Sequence, residues 1–127
     1  MVLAISFDPP LNDEFDDDRC KVVVDIGTFR GETRYRNVSA TEFDKLAKEV
    51  GQFPLPGKLE YEWFDGLLKL SIEQRGSLGQ LNLSLTLAEE IDFNSVEIES
   101  TITYSELQRF SEQLRLLIAQ DQGTASL

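Results

Sequence analysis

Between residues 59 and 104 apolar and polar positions alternate almost without a break, and an Asp-Gly pair punctuates the first part of that run. Leu59, Tyr61 and Trp63 precede the pair and Leu68, Leu70 and Ile72 follow it, with Glu60, Glu62, Lys69 and Ser71 interleaved. A period of two is the signature of a half-buried strand, and Asp65-Gly66 suits the tight turn of a two-residue hairpin. Such a turn sets Trp63 opposite Leu68, Glu62 opposite Lys69, Tyr61 opposite Leu70 and Leu59 opposite Ile72. A second two-residue turn at Gly76-Ser77 sets Ile72 against Leu81, Leu70 against Leu83 and Leu68 against Leu85. Across the longer segment AEEIDFN, Leu85 faces Ile98 and Leu81 faces Ile102. A slip of one residue would turn every side chain over, so the agreement of these pairings on one apolar face supports the facing. The opposite, wet face carries Glu60, Glu62, Lys69, Ser71, Asn82, Ser84, Thr86, Glu97, Glu99 and Thr101, the pattern of an antiparallel sheet covered on one side.

Outside this meander the pattern is more mixed. Leu3 to Phe7 reads as a short strand stopped by Pro9 and Pro10. CKVVVDIGTF and TRYRNV read as two strands joined at Arg30-Gly31, which would place Asp25 opposite Arg36. In SATEFDKLAKEV the period changes: Phe43, Leu46, Ala47 and Val50 share a helical face, Ser39 with Glu42 forms a capping box, and Gly51 ends the run. A second helix is expected over 105–120, capped by Ser105, with Leu107, Phe110, Leu114, Leu117 and Ile118 as the stripe that lids the sheet. Residues 122–127 read as a frayed tail. The expected fold class is α+β: one antiparallel meander sheet of about six or seven strands, one face covered by two helices, the second C-terminal. A single domain over residues 1–121 accounts for it.

Charge sharpens this picture. The chain of 127 residues carries 23 acidic and 12 basic side chains and no histidine, a formal net charge of −11. Residues 8–18 hold −6, residues 19–38 hold +3 and residues 59–104 hold −7. Such a balance repels nucleic acid and anionic membranes and draws in a basic protein. Asp13, Glu14, Asp16, Asp17 and Asp18 crowd the loop over 8–19. That loop is either a mobile acidic lure for a partner or an internal counter-charge for the Arg30 to Arg36 hairpin. Asn12, Glu14, Asp16 and Asp18 alternate as calcium ligands do, but the turn glycine is missing and the twelfth position is Val23, so no metal is expected.

Catalysis is not expected either. Glu97 and Glu99 would stand about 6–7 Å apart along one strand, a separation used by inverting glycosidases, yet a flat hydrated face offers no apolar pocket to turn one into an acid. Without histidine the usual general base is missing, and Cys20 follows carboxylates that would raise a thiol pKa. The single cysteine excludes an internal disulfide and zinc sites of the usual type. No glycine-rich phosphate cradle is present, and GSLG at Gly76 to Gly79 lies in a hairpin. No cofactor is implied. Tyr61 and Trp63 fall on the core face, whereas Phe64 and Leu67 fall on the wet face at a hairpin tip and suit a partner contact. The N-terminus has no basic flank and too short an apolar run for a signal peptide, and no run is long enough to span a membrane, so a cytoplasmic location is expected.

Several stretches together resemble a known group. Phe43 and Leu46, the segment WFDGLLKL from Trp63 to Leu70, Gly79 to Leu87, and Ser105 to Leu117 follow the order and spacing of the WapI-like immunity proteins of bacterial polymorphic toxin systems, over residues 20–118. The resemblance implies a non-catalytic, stoichiometric inhibitor that occludes a cognate toxin domain in the producer's cytosol. It transfers no binding residue by motif. Chemistry alone nominates the acidic surface: Asp13, Glu14, Asp16, Asp17, Asp18, Glu60, Glu62, Glu97 and Glu99, with Phe64. The expected partner is a basic toxin or effector domain bound by a monomer. The alternative is a small acidic secretion chaperone acting as a homodimer.

Overall fold

The computed structural model describes residues 2–7, 20–27, 30–35, 40–52, 54–55, 57–63, 66–76, 79–89, 94–120 and 122–127. The elements are β1 (Leu3–Phe7), β2 (Cys20–Asp25), β3 (Arg30–Tyr35), α1 (Ala40–Val50), β4 (Lys58–Trp63), β5 (Leu68–Arg75), β6 (Gln80–Ala88), β7 (Ser95–Thr103), α2 (Tyr104–Gln120) and β8 (Gly123–Ser126). The class is α+β, with antiparallel strands and a second, C-terminal helix. The strands divide into two open four-stranded sheets, ordered β3-β2-β1-β8 and β4-β5-β6-β7, where the sequence suggested a single one. No helix among the described residues is long and apolar enough to cross a membrane.

The second sheet holds the registers that the alternation implies at both ends. Trp63 pairs with Leu68 and Leu59 with Ile72, while Leu85 pairs with Ile98 and Leu81 with Ile102. The middle hairpin is offset: Ile72 faces Leu83, Leu70 faces Leu85 and Leu68 faces Leu87. Arg75 pairs with Gln80, so the hairpin is centred one residue later than Gly76-Ser77, and Gly76 and Gly79 adopt positive φ, 68° and 74°. The offset is two residues, which leaves each side chain on its expected face.

The first sheet differs more. β2 and β3 pair with Asp25 opposite Arg30 and Cys20 opposite Tyr35, so the turn lies before Arg30 and Asp25 does not face Arg36. Gly27 takes φ 90° and its N–H donates to Asp25 Oδ1 at 2.7 Å, an Asx-type arrangement that starts the turn early. Gly31 is instead a strand residue. A Cβ there would stand 2.5 Å from Val96 Cγ1, so its role is to let β3 of one sheet approach β7 of the other.

Residues 123–126, expected to fray, form β8 and pair antiparallel with β1. Ala125 and Leu127 are buried, and Leu127 exchanges backbone hydrogen bonds with Leu3. One apolar cluster joins Leu3 and Ile5 of β1, Val22 and Val24 of β2, the core faces of β4–β7, and the helix residues Phe43, Leu46, Val50, Leu107, Phe110, Leu114 and Leu117. α2 packs on α1 and β8. The cap of α2 is Thr103, whose Oγ1 accepts from the Glu106 N–H at 3.2 Å, in place of Ser105. The spacing Thr103 to Glu106 is that of a capping box. Ser39 lies outside the described residues. Glu42, its expected capping partner, accepts a hydrogen bond on Oε2 from Trp63 Nε1 at 3.0 Å.

Candidate functional site: the wet face of the second sheet

With the apolar sides of β4–β7 turned into the core, the opposite sides form an ordered polar face. Register sets its side chains in rows that cross all four strands. One row runs Glu60, Ser71, Ser84, Glu99; the next runs Glu62, Lys69, Thr86, Glu97; a third runs Lys58, Glu73, Asn82, Thr101. Neighbouring strands are about 4.8 Å apart, so the two edge strands stand about 14 Å from each other across the face. Glu60 and Glu62 therefore line one margin, Glu97 and Glu99 the other, and hydroxyl and amide side chains fill most of the floor.

The face is not flat. A hollow of about 400 Å3 is lined by Lys58, Ser71, Glu73, Asn82, Ser84 and Glu99 among others. A second, of about 260 Å3, is lined by Glu60, Glu62, Lys69, Ser71, Ser84 and Thr86 among others. They share Ser71 and Ser84. Five carboxylates, of Glu60, Glu62, Glu73, Glu97 and Glu99, stand on this face against the ammonium groups of Lys58 and Lys69, a net of −3. Glu60 is engaged by Lys58, Nζ to Oε1 3.2 Å. Glu62, Glu73, Glu97 and Glu99 form no ion pair among the described residues.

Of the residues nominated from sequence, Glu60, Glu62, Glu97 and Glu99 thus share one face. Asp13, Glu14, Asp16, Asp17, Asp18 and Phe64 lie outside the described residues. Leu67, expected on the wet face, is half-buried against the core, and its carbonyl accepts from the Ala88 N–H. Lys58 and Glu73 were missed, although the same period of two extended one step further would have included them.

Other chemistry-bearing groups are committed to structure. Tyr61 points to the core side, where its hydroxyl donates to the Glu42 carbonyl at 3.1 Å and Lys45 Nζ lies 5.9 Å from its ring centre. Burial, and then the carboxylates of Glu49 and Glu42, push its phenol up to about 12. Trp63 meets Phe43 edge-on, ring centres 4.1 Å apart. Cys20 is fully buried in the core. Among the described residues no group of three or more His, Cys, Asp or Glu is placed to hold a metal.

The fold and this face define an α+β protein of two open antiparallel sheets, one presenting an acid-margined polar surface. No protein-family model matches the chain, and no curated protein matches it.

Proposed function

We propose that this chain is a non-catalytic binding protein, an immunity protein that neutralises a cognate, basic bacterial toxin domain by stoichiometric binding in the producer's cytosol. The observation that carries the reading is the wet face of β4–β7, where Glu62, Glu73, Glu97 and Glu99 stand without ion-pair partners among the described residues. Carboxylates already paired within their own chain gain little from a partner's cations, whereas unpaired ones steer and hold them. A net charge of −11 adds long-range attraction for a basic domain. The secretion-chaperone alternative needs an apolar groove. The large apolar side chains exposed among the described residues are Ile26, after the end of β2, and Leu116, on α2; they form no common groove, which favours the inhibitor.

The test is to sequence the genes flanking this one and to co-express the protein with any toxin-like open reading frame found there. Survival that depends on this chain, with a one-to-one complex on purification, is the expected result. Survival without it, or recovery of the chain only as its own dimer, contradicts the reading.

A further inference from the structure

Among the described residues, β7 is a margin of the second sheet with no strand paired along its outer side. At the other margin α1 reaches β4, as α2 reaches β7, and in the first sheet α2 packs on β8. β7 runs nine residues, Ser95 to Thr103, and pairs with β6 along its whole length on one side. On the other side, among the described residues, β3 approaches its beginning, where Val96 meets Gly31. Every second residue of an edge strand aims its N–H and C=O away from the sheet, and from Glu97 to Thr101 those groups have no hydrogen-bond partner among the described residues, the Thr103 carbonyl being the first acceptor of α2. Proteins ordinarily blunt such an edge with proline, lysine or a covering element. The sequence SVEIESTIT has neither proline nor lysine, and the charges at its exposed positions are the carboxylates of Glu97 and Glu99, which repel an acidic edge and admit a basic one.

Resting on the inhibitor reading, we infer that β7 docks an extended, basic segment of the partner as one further antiparallel strand, from Glu97 to Thr101. Backbone hydrogen bonds supply the attachment and alternate side chains supply the choice of sequence. Glu97, Glu99 and Thr101 are exposed on the wet side of β7. An incoming strand with lysine or arginine at alternate positions sets cations directly opposite both carboxylates, the favourable cross-strand arrangement. Its intervening residues extend the apolar face alongside the half-buried Val96 and the buried Ile98 and Ile102, so they are apolar. The charge pattern also selects against a second copy of this chain. An antiparallel self-pairing centred on Ile98 or Glu99 sets carboxylate against carboxylate.

The probe is the capped peptide Lys-Val-Lys-Val-Lys-Val-Lys, read by NMR amide exchange on the full chain at low salt. The expected result is slowed exchange at alternate amides between Glu97 and Thr101. N-methylating the peptide amides on the edge that meets β7 weakens binding about tenfold or more, since each backbone bond is lost while charge is kept. N-methylating the opposite edge changes little. E97K/E99K, exposed substitutions that spare the core, weakens binding about tenfold. Equal binding by both N-methylated peptides, protection elsewhere on the sheet, or a β7-mediated homodimer overturns the inference. A toxin that binds while the β7 amides stay unprotected overturns the strand pairing and leaves the inhibitor reading standing; peptide docking with no toxin neutralised does the reverse.

Discussion

Gly51 ends α1 against α2 in a space that admits no side chain. A Cβ there would lie 2.7 Å from Ser111 Oγ and 3.0 Å from the Ala47 carbonyl oxygen. That same carbonyl accepts from the Gly51 N–H at 3.1 Å and from Ser111 Oγ at 2.7 Å, while Gln108 Nε2 donates to the Gly51 carbonyl at 3.0 Å. Gly51→Ala should therefore destabilise by about 2 kcal/mol through overpacking, and Ser111→Ala by about 1 kcal/mol through the lost hydrogen bond. Because the hydroxyl causes the tighter clash, the double variant should lose less than the sum, with a coupling of about 1 kcal/mol in urea unfolding. Strict additivity would refute this packing account. Tyr61 supplies a second test. Its phenol titrates near pH 12 when folded and near 10.0 when unfolded, so between those values the unfolded chain has released a proton that the folded chain retains. Stability contributed by the neutral phenol is thus complete below pH 10 and falls as pH rises toward 12. Tyr61→Phe should flatten that decline, and an unchanged slope would contradict the burial argument.

At the scale of elements, turn chemistry separates what was legible in the sequence from what was not. Asp65-Gly66 fixed its hairpin because one turn type suits it. GSLG offered two glycines, and the hairpin is centred between them rather than on Gly76-Ser77. The facing survived because the offset was even. The Asp25–Arg30 hairpin was misread because Gly31 was taken for a turn residue, when its lack of a Cβ serves the contact with Val96 across the two sheets. No local pattern reveals a contact of that kind. The last strand was missed for the same reason: a short segment with little periodicity becomes a strand only because β1 offers it an edge. β8 buries Ala125 beside the buried Leu127. Removing residues 123–127 should therefore lower stability by about 3 kcal/mol or more; thermal unfolding at the full-length temperature would contradict the role given to β8. The candidate face was half legible. Alternation located Glu60, Glu62, Glu97 and Glu99, but the rows that group them, and the hollows between, depend on registers that span three hairpins.

For the molecule as a whole, one sheet is tied to α2 through β8, while the other turns a carboxylate-margined face outward and, among the described residues, has no strand paired along the outer side of β7. Strand pairing pre-orders the backbone of this face, so a partner that binds it would leave little ordering to be done on association. The net charge of −11 would make the proposed association sensitive to salt, since screening shortens to about 8 Å at physiological ionic strength. The measurement that tests the central claim most directly is affinity capture from the native lysate at low and moderate salt, comparing the wild-type chain with E97K/E99K and with E32K, a control on the first sheet. The wild type and E32K should each retain one basic domain at one-to-one stoichiometry, weakened by salt, and E97K/E99K should lose it. Equal retention by all three chains would contradict the assignment of binding to this face.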